Sequence, residues 1–457
     1  MSKKKDSFKP WLSRPAINRS VTIPFTTSLT HRLSSLGEFH PNELDPFLLF
    51  DARDSMIGTL ENPTLDLDPS KPDTLNVITA TRAGTATFTD VNGNIASASP
   101  NNVRVDYSLG YPAILVEPSS ENLVTYSEDF SKSSYEKTRV AITTDDAISP
   151  DGNTSADKLS ATATTGTHFL KIDRTVTNGA AHTFSVFVKK GEYNWVNVML
   201  QGTGWTNSTK SINFNASTGE FGTVTSGVTH TSESLANGWY RLSITNTTAS
   251  TTVAMRLYAM PADNTLSYQG DGTSGVYLWG AQLEESSVAT SYIPTSGGDA
   301  AARTRGFEDL VISGSAFSSF YNASEGTVYV ESVLSSGSQE PFLVQISQDN
   351  GDSNRMLLWN DANNVNALVD TSGTRVVSQA LGSRPAAGAL SRAAFSYATN
   401  NIKASVDGGS VATDTSAALP TGINKIFLSS RVGQSEIYKL NGHIKRLIYW
   451  PYHSDSL

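Results

Sequence analysis

The segment Tyr268–Thr295, YQGDGTSGVYLWGAQLEESSVATSYIPT, separates two incompatible folds for this chain. Its opening, Gly270-Asp-Gly-Thr-Ser-Gly275, matches the Gly-x-Gly-x-x-Gly spacing of a phosphate-binding loop. Such a loop works only between a strand and a helix, because the helix N-terminus supplies the amides and the dipole that hold the phosphate. The next residues are Val276-Tyr-Leu-Trp-Gly-Ala-Gln-Leu283, rich in β-branched and aromatic side chains and without a helix cap. The glycines therefore predict a turn entering a strand, not a nucleotide site.

The same signature extends in both directions. Charged residues make up 17% of the 457, while Gly, Ser, Thr and Asn are abundant and long amphipathic helix patterns are rare. That balance predicts an all-β protein with many polar turns, long enough for several cores. Alternation is clear in three places. Phe184, Val186 and Val188 share one face, with Ser185 and Lys189 on the other; Ile212 and Phe214 alternate with Asn213 and Asn215; Tyr240, Leu242 and Ile244 alternate with Arg241 and Ser243. A period of two marks half-buried strands. Asn92-Gly93 between strand-like runs is a hairpin signal.

A net charge of −9 argues against nucleic acid as the main partner. With no cysteine, disulfides and thiolate metal sites are excluded. No run of 18 apolar residues predicts a membrane span, and the first residues lack the apolar core of a secretion signal, so synthesis in a cytoplasm is expected.

These patterns divide the chain into four parts. Residues 1–50 are punctuated by Pro10, Pro15, Pro24, Pro41 and Pro46, and their apolar residues are too scattered for a core. Such a segment is expected to be an extended arm that buries Phe8, Trp11, Ile17, Ile23 and Phe25 against a partner. Residues 51–120 read as a small β-rich module, 121–295 as a sandwich, and 307–457 as a second sandwich. The small, polar stretch 296–306, SGGDAAARTRG, reads as the linker between the sandwiches.

Several of these segments carry a resemblance. Gly275–Glu284 followed by Thr290–Thr295 resembles the end of a jelly-roll domain that recurs in bacteriophage tail-fibre and head-spike proteins. Asn122–Phe130, NLVTYSEDF, resembles that domain's entry, and Asn237-Gly-Trp-Tyr-Arg241 one of its turns. Thr81–Phe88, Val103–Tyr107 and Ala113–Glu117 resemble the module that precedes it, although Ser120-Glu-Asn122 departs from the usual Arg-Thr-Asn. Ala393–Tyr397, Ala404–Gly409 and Asn441–Pro451 resemble the concanavalin A-like, laminin-G-like lectin sandwich found at the C-termini of phage virion proteins. The resemblance implies a virion structural protein made in the host cytoplasm, a tail fibre or receptor-binding protein. Its arm would bind other virion proteins, its β domains a host glycan, and it would form a homo-oligomer, such fibres often being trimers. A capsid decoration or head-spike fibre is the alternative within structure, and a polysaccharide depolymerase the alternative from another class.

Candidate chemistry is sparse. Lectin-like sandwiches also house glycosidases that place Glu-x-Asp-x-x-Glu on one strand, two carboxylates acting as nucleophile and acid/base. The nearest match is Glu43-Leu-Asp-Pro-Phe-Leu48, outside either sandwich and without the last carboxylate. Adjacent pairs such as Glu284-Glu285 and Asp145-Asp146 point to opposite faces or sit in turns. No catalytic residue is therefore assigned, and no cofactor is expected. Asp349-Asn-Gly-Asp-Ser-Asn354 reads as a hairpin turn or, through Asp349 and Asp352, as a loop for structural Ca²⁺. His443, on an alternating strand, reads as a satisfied or exposed strand residue rather than a metal ligand. Trp195, Trp239 and Trp279 read as core. Trp205, in the polar stretch Gly202–Ser208, has three readings: a sugar-stacking ring assisted by Asn207, a subunit contact, or core.

Overall fold

The computed structural model describes residue 60 and residues 62–202, 209–247, 249–295, 302–429 and 433–457. By its internal contacts the chain divides into Met1–Asp51 and Ala52–Leu457, and everything described belongs to the second unit. The arm residues Phe8, Trp11, Ile17, Ile23 and Phe25, and also Trp205 and Asn207, lie outside the described residues. Among the described residues strands account for 52% and helices for 4%, so packing rests on sheet faces. Among the described residues no helix is long and apolar enough to cross a membrane.

The segment Tyr268–Thr295 behaves as a turn and a strand. Asp271 Oδ1 accepts from the amides of Thr273 (2.8 Å) and Ser274 (2.7 Å), closing the turn with a side chain. Gly275–Glu284 is then a central strand, hydrogen-bonded to Ala181–Lys190 on one side and Thr154–Ala161 on the other. Gly275 is required there, since a Cβ would stand 2.1 Å from the carbonyl oxygen of Leu159.

Around that strand the jelly roll forms two antiparallel sheets. In the inner sheet the order is Thr229–Ser234, Tyr240–Thr247, Ala181–Lys190, Gly275–Glu284, Thr154–Ala161, Val140–Ile148. In the outer sheet it is Glu220–Val224, Thr209–Asn215, Trp195–Gly202, Thr252–Met260, Phe169–Thr175, Glu136–Thr138. Phe184, Val186, Val188, Ile212, Phe214, Leu242 and Ile244 meet in the core between them, as their alternation predicts.

The second sandwich pairs two larger sheets, and its membership corrects the expected domain order. One sheet runs Ala412–Asp414, Asn401–Val406, Leu390–Ala398, Glu325–Leu334, Gly442–Trp450, Ala113–Val116, Val105–Asp106, with Leu65–Leu67 also on Gly442–Trp450. The other runs Thr79–Thr81, Asp309–Ser313, Lys425–Leu428, Phe342–Ser347, Arg355–Asn360, Asn364–Thr371, Thr374–Ser383. The module expected over 51–120 is thus not a separate body among the described residues. Its strands are two to four residues long, too short to enclose a core; Leu65–Leu67, Thr79–Thr81, Val105–Asp106 and Ala113–Val116 complete the sheets of the C-terminal sandwich, while Ala86–Thr89 and Ile95–Ala98 pair as a hairpin of their own. In effect the jelly roll is inserted into that sandwich.

The linker reading also needs correction. Within 296–306, Arg303–Arg305 is a strand paired with Ser120–Asn122, and Arg305 is fully buried. Arg305 joins a buried ionic cluster that ties the two sandwiches. Arg104 Nη2 lies 2.8 Å from Glu117 and 2.6 Å from Glu308; Arg82 reaches Glu308 at 3.4 Å; Arg305 pairs with Glu117. From the jelly roll, Ser291 donates to Glu117 through its amide (2.7 Å) and its hydroxyl (2.6 Å). Burial acts to raise the Glu117 carboxyl, but Arg305, Arg104 and Ser291 outweigh it and hold it well below the ordinary range. Trypsin is accordingly expected to cut at exposed Arg303 and to spare Arg305. The two fragments should then co-elute on gel filtration, since residues 65–116 are built into the C-terminal sheets. Fragments that separate without denaturant would show that this joint does not hold.

Candidate functional site

Each sheet of the jelly roll buries one face in the core, which leaves its opposite face either covered or available. The inner sheet's opposite face is taken. Phe187, Trp239, Trp279 and Tyr292 form a buried cluster there, with Ile95 packed on it. Polar tips are satisfied as well: Trp239 Nε1 donates to the Ile148 carbonyl (3.0 Å) and Trp279 Nε1 to Ser155 Oγ (3.1 Å). The hairpin Ala86–Ala98 reaches this face through Thr87 Oγ1, which donates to the Tyr292 carbonyl at 2.6 Å.

The outer sheet is different. Val196, Val198 and Leu200 point into the core, which turns Trp195, Asn197, Met199 and Gln201 outward. In register, Asn197 stands between Asn213 and Tyr258, and Tyr258 faces Phe169 on the next strand. One row further, Met199 stands beside Arg256, and Arg256 beside Lys171. The apolar residues packed on this face, Phe169, Trp195, Met199, Tyr258, Met260 and Leu266, come from its own strands and the turn after Met260. Phe169 and Trp195 are half-buried.

Polar groups are threaded among these rings. Asn197 Nδ2 donates to Asn213 Oδ1 (2.6 Å), and Asn213 Nδ2 to Asp263 Oδ1 (2.7 Å). Burial tends to raise the Asp263 carboxyl, but the donors of Asn213 and Thr223 prevail and keep it below the usual value. Arg256 lies over the Phe169 ring at 4.9 Å, a cation–π contact. Two polar atoms on this face are buried without a partner, Asn197 Oδ1 and Arg256 Nε. An acceptor and a donor left spare beside aromatic rings suit a ligand with an apolar ring face and hydroxyls around its rim. Trp205 and Asn207 fall in the connection whose two ends, Gly202 and Thr209, both belong to this sheet.

Of the three tryptophans read as core, Trp239 and Trp279 are buried, though on the covered outer face of the inner sheet rather than in the main core. Trp195 is a correction, since it sits on the open face. Alternation with Val196, Val198 and Leu200 already carried that signal.

The remaining candidates have local partners. Asp349 and Asp352 lie in the turn between Phe342–Ser347 and Arg355–Asn360. Asp349 Oδ1 accepts from the Gly351 amide (2.6 Å), and Asp352 Oδ1 is engaged by Arg355 Nη1 at 2.7 Å. These side chains serve the turn and a neighbouring cation rather than the several hard ligands Ca²⁺ takes. Among the described residues no group of three His, Asp or Glu side chains converges to hold a metal. Glu284, the last residue of its strand, is buried and accepts from Gln282 (2.7 Å) and the Thr290 amide (3.0 Å), while Glu285 is exposed in the bend that follows. His443 is buried with Nε2 3.0 Å from Asp106 Oδ2.

No protein-family model matches the chain, and no curated protein matches it. Among solved structures it is similar to a NanB sialidase from Streptococcus pneumoniae (15% identity, 32% of this chain and 25% of that chain, TM-score 0.27). It is also similar to the CBM40 module of Ruminococcus gnavus IT-sialidase bound to α2,3-sialyllactose (17% identity, 29% and 80%, TM-score 0.26). A third is the tandem CBM22 domain of Paenibacillus barcinonensis Xyn10C (10% identity, 73% and 99%, TM-score 0.25). The chain spans about a quarter of the length of the sialidase it matches.

Proposed function

We propose that this chain is a bacteriophage virion structural protein, a tail fibre or receptor-binding protein that attaches to host surface glycans without cleaving them. The observation that carries the binding reading is the sheet face on which half-buried Trp195 and Phe169 flank buried Tyr258 and the unpartnered, buried Asn197 Oδ1 and Arg256 Nε. Rings offer stacking surface, and planar amide and guanidinium groups pair with adjacent hydroxyls. The virion setting is supported by the motif runs Gly275–Glu284, Thr290–Thr295 and Asn441–Pro451. In this reading residues 1–50 join the chain to other virion proteins, and copies of the chain assemble together.

The test is binding of the purified protein to a glycan array and to intact host cells, compared with Trp195→Ala, Arg256→Ala and Trp205→Ala. Trp195→Ala and Arg256→Ala should each weaken binding by roughly tenfold, about 1.4 kcal/mol, with little change in the thermal transition of Arg256→Ala. Unchanged binding in both would remove the site from this face. Release of reducing ends from host polysaccharide by the pure protein would favour a depolymerase instead.

A further inference from the structure

The C-terminal sandwich has a groove of its own, of about 170 Å³, on the outward side of the sheet containing Arg355–Asn360. Met356 and Leu358 enter the core, so Arg355, Leu357 and Trp359 project outward. Leu357 and Leu368, paired in register, form an apolar floor with Phe342. Above Phe342 lies Tyr438, with ring centroids 4.9 Å apart and planes at 29°. Trp359 stands opposite Phe342 in register and is half-buried, so one side of its ring lines the groove.

The remaining wall is built of paired charges. Arg355 Nε donates to Asp370 Oδ2 (2.8 Å) and Arg375 Nε to Asp370 Oδ1 (3.1 Å), while Asp352 Oδ1 accepts from Arg355 Nη1 (2.7 Å) and Gln434 Nε2 (3.3 Å). Among the described residues, two guanidiniums face two carboxylates at this wall. The carboxylates orient the guanidinium forks, and Arg375, whose side chain is 49% exposed, keeps donors open to a ligand. As for size, a cavity of about 150 Å³ holds a benzene ring, so this groove admits one six-membered ring.

We propose that this groove is a second saccharide site, taking one neutral pyranose residue stacked on Trp359 with its hydroxyls paired to Arg375 and Asp352. It shares the glycan-binding reading above but stands on different residues in a different sandwich. Two sites on one chain let a single polysaccharide be held at two points, which raises avidity without any new contact.

The test is saturation-transfer NMR of the full chain with glucose, galactose, mannose and N-acetylglucosamine as separate probes, on the unaltered protein and on Trp359→Ala, Arg375→Ala and Trp195→Ala. At least one neutral sugar should show saturable transfer, weakened roughly tenfold in Trp359→Ala and Arg375→Ala and preserved in Trp195→Ala. Arg375→Ala should keep the thermal transition, which guards against reading a folding defect of Trp359→Ala as lost binding. Transfer that survives both groove variants, no transfer with any of the four sugars, or transfer confined to a uronic acid control would each overturn the proposal. Loss in Trp195→Ala alone would overturn it while leaving the jelly-roll site standing.

Discussion

Glu117→Ala is expected to cost about 3–5 kcal/mol of unfolding free energy, the range for removing one partner from a buried ion pair. Glu117 accepts from Arg104, Arg305 and both Ser291 donors, and its amide donates to Glu308 at 2.9 Å. Without it, three buried guanidiniums would face Glu308 alone. The cluster is also the point where Ser291 of the jelly roll meets residues 82–117 and 305–308 of the C-terminal sandwich. The loss should therefore appear as an early transition separating the two sandwiches in urea, monitored by fluorescence and far-UV circular dichroism. A change below about 1 kcal/mol, typical of surface pairs, would show that the cluster does not hold the joint.

Acid should weaken the same joint. The Glu117 carboxyl is held below its unfolded value, so the folded state binds its proton less readily than the unfolded chain. Its stabilisation is complete above the unfolded value of about 4.5 and is lost as pH falls through the lower folded value. Asp106 has the same sign: burial raises it, but His443 and Ser108 more than compensate.

A chain beginning at Ser119 is expected to lose its C-terminal sandwich, whereas one beginning at Leu60 should retain it. Leu65, Leu67, Leu75, Ile114 and Val116 belong to the same buried core as Val330, Phe395 and Leu447. Each is worth about 1.5–3 kcal/mol when fully buried, an upper estimate because unfolded chains already bury some surface. Together they rival the roughly 5–15 kcal/mol that holds a whole domain. The truncation would also strip Gly442–Trp450 of Leu65–Leu67 and Ala113–Val116, leaving an open edge, and would remove the Asp66–Arg446 pair at 2.6 Å. Soluble yield and hydrogen exchange of residues 442–450 are the measurements. Native-like protection in the chain starting at Ser119 would show that residues 65–116 only decorate that sandwich.

Local structure is legible in the residues alone. β-branched and aromatic residues after Gly275 make a strand where a phosphate loop was conceivable, because side-chain shape acts on the nearest backbone. Period-two alternation at Phe184, Ile212 and Leu242 names the core faces, and Asn92-Gly93 and Asn237-Gly238 name turns. The same alternation places Trp195 outward, against the general preference of tryptophan for cores. What covers an outward face, and which edge a strand joins, emerge only when the sheets assemble. Trp279 and Trp195 both point away from the main core, yet one is sealed by Tyr292 and the hairpin Ala86–Ala98 while the other stays open. Leu65 pairs with Tyr449, hundreds of residues away, and Arg305 looks like linker until Glu117 stands beside it. Sheet edges, buried charge clusters and grooves such as that of Trp359 and Arg375 are made by residues distant in the chain. Hydrogen bonds across a sheet edge and the pairing of buried charges depend on position in space, and no local pattern of side chains encodes which distant strand supplies the partner.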